Sequence, residues 1–321
     1  MHFIDKRIIS HFDYLLIIFI LPLIYLSYHL ISETNEILAQ KQLFYFFVAF
    51  ASFIVVFFLP IRRNIGFIQI IYWLGIALLL AVEYFGVTKL GAQRWLEIPG
   101  TSSTIQPSEL FKPIFLLMLG YLIKNRPAPK GGYRIKDFLY FSFYIILPFI
   151  LIAKEPDLGT ALVLLLVGYG VLFIIGVYWK IWVTIVLIIG FSSPFIYTYL
   201  IKDYQKKRIH DFIAEEPSYH VRQSIIAIGS GGLWGKDSSE ATQTQLKFLP
   251  IATSDFIFAY LVERYGFVGA IGLIFIYLLL ILHLLFMNRQ FKEDYVIRCF
   301  ASGLALLLFL NMSINIFMVI G

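Results

Sequence analysis

The chain has 321 residues, 60% of them hydrophobic and only 14% charged, with a formal net charge of +6. Soluble domains carry about 25% charged residues, so this balance excludes a soluble globular protein and indicates a membrane-embedded one. A β-barrel is excluded as well, because short segments alternating apolar and polar residues are not seen, and the single cysteine, Cys299, rules out a disulfide framework.

Apolar runs of spanning length, about 17–25 residues, recur from end to end. They predict spans near 12–32, 42–60, 65–86, 108–123, 138–153, 160–179, 181–201, 257–287 and 300–320. The expected fold class is therefore all-α, a polytopic transmembrane helical bundle forming one domain over 1–321. The first run is too long for a signal-peptide core and lacks a small-residue cleavage site, so it is a retained span. Basic residues gather in alternate short loops: Lys6-Arg7, Arg62-Arg63, Lys124 to Lys136, Lys180, and Arg289 to Arg298. That distribution places the N-terminus in the cytoplasm. The positive charge thus reports topology, and no nucleic-acid partner is expected. The apolar run that reaches Gly321 leads to the expectation that a final span is missing from this chain.

Between the spans, Val87 to Pro107 forms the first substantial outer loop, and Lys124 to Asp137 a basic, Pro- and Gly-rich inner loop. Lys154-Glu155-Pro156-Asp157 is a charged break between two apolar runs. The longest polar segment lies near 202–254, on the outside by parity, with helix-like Val221 to Ile228 followed by Gly229, Gly231, Gly232 and Gly235. A loop of that length in so apolar a chain is more often functional than connective. No fixed-period repeat is present, and no pair of glycine-interrupted spans suggests an inverted-repeat transporter.

Asp255 leads this loop back into an apolar segment, where an ionised carboxylate costs several kcal/mol. It reads either as a catalytic carboxylate or as a helix N-cap. Three other polar pieces sit at outer ends of spans: Gly91 to Trp95, Gln106 to Glu109 with Lys112, and Lys154 to Thr160. All four are expected to converge on one cavity. Plainer readings stand beside the functional ones. Arg94 and Trp95 form an interfacial anchor, Glu109 and Lys112 pair along one helix face, and Asp157 caps the next span. Glu263 and Arg264 form a local pair solvated near the surface, His283 either packs or makes a helix–helix hydrogen bond, and Cys299 is inert. His210 and His220 lack zinc-ligand spacing.

Six strings in order, GAQRW (91–95), IQPSELFK (105–112), EPDLGTALV (155–163), QSIIAIGSGGLWGK (223–236), TQTQLKFLP (242–250) and DFIFAYLVERYGFVG (255–269), resemble the SEDS family of polytopic cell-wall glycosyltransferases, its RodA branch more than its FtsW branch. The resemblance implies polymerisation of lipid II, with Asp255 as the catalytic carboxylate and undecaprenyl pyrophosphate as leaving group. Arg94, Trp95, Glu109, Lys112, Lys154, Asp157, Arg208, Gln223 and Ser224 become candidates for binding substrate or pyrophosphate. A divalent cation, magnesium or manganese, held by Glu109, Asp157 or Asp255 is a further expectation, as is a class B penicillin-binding protein as partner. The chain departs from the family pattern at Ile251, Thr253 and Arg264, and at Asp237-Ser238-Ser239. A lipid-precursor transporter or flippase and a scaffold for a synthase are the competing classes.

Overall fold

The structure, a computed structural model, describes residues 12–58, 65–89, 92–98, 100, 104–200, 206, 219–241, 253–291 and 293–321. Each expected span appears as a helix. In chain order these are α1 (Tyr14–Thr34), α2 (Glu36–Phe58), α3 (Phe67–Phe85), α4 (Pro107–Asn125), α5 (Ile135–Lys154), α6 (Leu158–Ile175), α7 (Trp179–Phe195), then α9 (Ile257–Gln290) and α10 (Tyr295–Ile320). The loop helix α8 (Tyr219–Gly231) falls between α7 and α9. Among the described residues seven helices are long and apolar enough to cross a membrane; α4 carries Glu109, Lys112 and Lys124, and α7 is only 17 residues long.

One feature was not expected. The loop after α3 contains a small antiparallel sheet, β1 (Val87–Lys89), β2 (Ala92–Glu97) and β3 (Thr104–Ile105), in the order β1-β2-β3. Pairing sets Val87 opposite Trp95 and Leu96 opposite Ile105. Turn-forming residues masked this hairpin in the sequence, because its strands are too short for an alternation to stand out.

The described helices fall into two compact units. The first contains α1, α2, α8, α9 up to His283, and α10 from Met312. Asp13 starts α1 by accepting from the Leu15 amide at 3.1 Å, and its other carboxylate oxygen lies 2.6 Å from His283 Nε2. The helix–helix hydrogen bond expected of His283 is therefore made to Asp13. Gln42 donates to Ser27 Oγ at 2.7 Å, joining α2 to α1. The core of this unit packs Leu30, Ala227, Phe256, Phe258, Tyr260 and Val319.

Within the same unit the segment after α8 crosses α9 at backbone contact distance. The Lys236 amide donates to Glu263 O, and the Phe267 and Val268 amides donate to Gly232 O and Leu233 O. At Gly266 α9 breaks its helical path, with φ 66° and ψ −164°, a region closed to side-chain-bearing residues. A Cβ on Gly231 would meet Val262 O at 2.1 Å, and one on Gly266 would meet Leu233 O at 2.4 Å. The glycines of the sequence strings are thus a backbone-to-backbone crossing.

The second unit contains α3 to α7, the sheet, the end of α9 and α10 up to Asn311. Its core is built on Tyr72, Phe111, Phe115, Phe141, Ile145 and Leu164. Small residues let helices close up: Gly168 faces Phe115 and Ile145, Gly303 faces Leu116, and Gly120 lies against Val296. That is how apolar helices associate where no hydrophobic drive separates them from lipid. Cys299 is buried in this core.

Candidate functional site

Asp255 belongs to the first unit. It lies in a turn over 253–256 that leads into α9, closed by the Ile257 amide donating to Ser254 O at 3.3 Å. The flanking Phe256 and Phe258 are buried, whereas Asp255 is exposed. Among the described residues its carboxylate caps no backbone N–H and pairs with no cation. Its backbone is held: Asn315 on α10 donates from Nδ2 to Asp255 O at 3.1 Å.

The first turns of α9 are fixed by charge as well. Arg264 donates from Nε to Glu33 Oε2 at 2.8 Å and from Nη2 to Glu33 Oε1 at 2.6 Å, while its Nη1 donates to Lys236 O. Tyr260 OH donates to the same Glu33 Oε2 at 2.6 Å. This corrects the expectation of a local Glu263–Arg264 pair. Adjacent residues on a helix point in different directions, so Arg264 reaches across to α1 while Glu263 is fully buried.

On α8, Ser224 is buried and its hydroxyl is used within the protein, donating to Val221 O or Val319 O at 2.8 and 2.7 Å. Gln223, its neighbour, is half-buried. Arg208 lies outside the described residues.

The second unit gathers a separate polar cluster. Asp157 caps α6 by accepting from the Thr160 amide at 3.3 Å, as expected. Its Oδ2 accepts from Gln106 Nε2 at 2.8 Å and lies 3.5 Å from Arg94 Nη1. The strand β2 supplies Arg94 and Trp95, Gln106 precedes α4, and the α5–α6 break supplies Asp157; three sequence strings meet here. Trp95 is half-buried. Glu155, two residues before Asp157, is 5% exposed, and neither of its carboxylate oxygens has a partner among the described residues. Arg94 Nε is likewise buried and unpartnered. Burial first, and the Asp157 charge second, push the Glu155 carboxyl up to about 8, with Arg94 opposing. Glu155 therefore holds a proton at neutral pH.

The remaining candidates are paired. Lys112 Nζ donates to Glu109 Oε1 at 2.6 Å, one helical turn away, which is the plain reading of that pair. Lys154 lies 3.8 Å from Glu83, both exposed. Among the described residues no three His, Cys, Asp or Glu side chains gather as a metal site. Asp157 and Glu109 each already face a cationic partner.

A family profile described as Cell cycle protein, spanning FtsW, RodA and SpoVE, matches residues 4–321. The peptidoglycan glycosyltransferase MrdB of Helicobacter pylori strain J99 is 50% identical over 318 residues, covering 99% of this chain and 83% of its own. MrdB of Escherichia coli K12 is 37% identical over 268 residues, covering 82% of this chain and 71% of its own. Among solved structures, a peptidoglycan synthase complex that coordinates polymerisation and crosslinking superposes with a TM-score of 0.82 at 23% identity, covering 97% of this chain and 88% of the other. The rod shape determining protein RodA of Thermus thermophilus superposes at 0.71 with 24% identity, covering 97% and 86%. At such identities these likenesses show a shared polytopic fold.

Proposed function

The chain belongs to the FtsW/RodA/SpoVE family of cell cycle proteins, and on that footing we propose that it is a peptidoglycan glycosyltransferase. It polymerises lipid II into glycan strands at the outer face of the bacterial cytoplasmic membrane, for cell-wall elongation and rod shape. The observation that carries this reading is the 50% identity to the Helicobacter pylori MrdB along 99% of the chain.

In the reaction, a hydroxyl of the acceptor's GlcNAc attacks the anomeric carbon of the MurNAc that ends the growing strand. The bond from that carbon to the pyrophosphate oxygen breaks, and undecaprenyl pyrophosphate leaves with the electron pair. Asp255 takes the hydroxyl proton as general base; such a group needs an accessible, uncommitted carboxylate, and Asp255, exposed and without a cap or cation partner among the described residues, suits that task. The departing pyrophosphate calls for preorganised cations and donors. Arg94, with one guanidinium end held by Asp157 and Nε unpartnered among the described residues, suits this role, and so does Lys112, steadied by Glu109. Trp95, Lys154, Arg208 and Gln223 are the further groups assigned to the substrate. A magnesium or manganese ion would be held by Glu109, Asp157 or Asp255 and would supply positive charge to the departing pyrophosphate. A class B penicillin-binding protein, crosslinking the strands, is the proposed partner.

The test is polymerisation by the purified protein in detergent, without any membrane gradient. Lengthening of lipid II into glycan strands is the expected result. A protein that moves lipid II across vesicles yet makes no strand is a transporter, and this reading then falls.

A further inference from the structure

The carboxylate of Asp255 has no partner among the described residues, so what restrains it there is its backbone. That backbone sits at the open end of α9, where a helix offers little internal restraint because its first amides lack intrahelical partners. Two hydrogen bonds supply restraint locally: Ile257 to Ser254 O, and Tyr260 to Phe256 O at 3.2 Å. The third comes from another helix. Asn315 reaches from α10 to Asp255 O at 3.1 Å, and its neighbour one turn on, Val319, accepts from Ser224 Oγ at 2.7 Å. Residues four apart lie on one helix face, so a single face of α10 holds both the Asp255 turn and α8.

On the reading that Asp255 is the base, we propose that Asn315 is its positioning residue, the amide that fixes the Asp255 peptide and so aims the carboxylate. The hydrogen bond is made by the side-chain N–H, and the accepting group is a carbonyl. An aspartate of the same shape at 315 has no N–H to give and sets a negative charge against that carbonyl. A glutamine keeps the donor on a longer arm. A misplacement of about 1 Å at a reacting group costs up to a hundredfold in rate, while a positioning residue that never touches substrate leaves binding alone.

The experiment compares the full chain with Asn315→Ala, Asn315→Asp, Asn315→Gln and Asp255→Asn in lipid II polymerisation, with a thermal unfolding scan of each. Asn315→Ala and Asn315→Asp are expected to lower kcat about tenfold or more with KM for lipid II within about twofold. Asn315→Gln is expected to recover part of kcat, and all three Asn315 variants to unfold near the parent temperature. Wild-type kcat in both Asn315→Ala and Asn315→Asp overturns the proposal, provided Asp255→Asn is inactive in the same assay. Loss of kcat that follows loss of thermal stability, with no advantage for the glutamine, overturns it too, because it marks a purely structural contact. Polymerisation by Asp255→Asn at the wild-type rate refutes the base itself, whatever the Asn315 variants do.

Discussion

At the scale of residues, two carboxyl groups stand in opposite circumstances: among the described residues Asp255 is exposed with its carboxylate unpartnered, and Glu155 is buried and unpaired. Asp255→Asn keeps shape and loses basicity, so polymerisation is expected to fall by about a hundredfold or more, measured as glycan length at matched protein levels. Glu155 makes a different prediction. Its carboxyl titrates near 4.5 when solvated and at about 8 in the fold. Below the lower value both states carry the proton. As pH rises through that window the unfolded chain releases it and the folded chain keeps it, so stability falls until about 8 and then levels. Unfolding temperature is expected to drop between pH 5 and pH 8 in the parent protein, and the neutral Glu155→Gln is expected to flatten that drop. How far residues were legible depended on where their partners lay. The cap made by Asp157 needs only Thr160, three residues on, and the sequence shows it. Arg264 pairs with Glu33, which lies 231 residues away, and nothing local in the sequence marks that. Glu155 reads as part of a solvated charged break, yet the fold leaves it 5% exposed, and nothing local in the sequence marks that burial.

At the scale of elements, the crossing of the post-α8 segment over α9 gives the sharpest prediction. Gly266→Ala forces a side-chain-bearing residue into a glycine-only backbone region and drives its Cβ to 2.4 Å from Leu233 O. Strain of that kind alone costs about 1–3 kcal/mol, and the clash adds to it. Gly272→Ala, on the same helix with nothing within 4 Å of its Cβ, is expected to be neutral or slightly stabilising. Thermal unfolding in one detergent compares the two. The clamp above the crossing is also testable. Glu33→Gln removes the charge that faces the Arg264 guanidinium in a part-buried pair, and the expected loss of stability is below the roughly 3–5 kcal/mol of a fully buried pair. The helices themselves were legible because apolar length is a strong signal. The sheet was not, since β3 has two residues and offers no period to detect.

At the scale of the molecule, the positive-inside pattern makes a prediction that the helices alone leave open. Gly132 and Ser238 are expected on opposite sides of the membrane. Single cysteines at those positions, labelled from one side in intact cells, check it, and the native Cys299, only 1% exposed, adds little background. Labelling of both from the same side refutes the topology. The length of α9 bears on how the membrane acts on Asp255. Its 34 residues would run about 51 Å if straight, far more than the roughly 30 Å hydrocarbon layer. The break at Gly266 divides it, and the apolar stretch 267–287 is by itself enough to cross. The segment carrying Tyr260 and Arg264 is tied to Glu33 and Lys236 instead. A thicker or thinner bilayer is met by a change of tilt in the spanning stretch, and the bonds from Phe267 and Val268 to Gly232 and Leu233 oppose its passing back across Gly266. Polymerisation is therefore expected to vary little between lipids of different acyl length, and to become dependent on acyl length when Gly266→Ala disrupts that crossing.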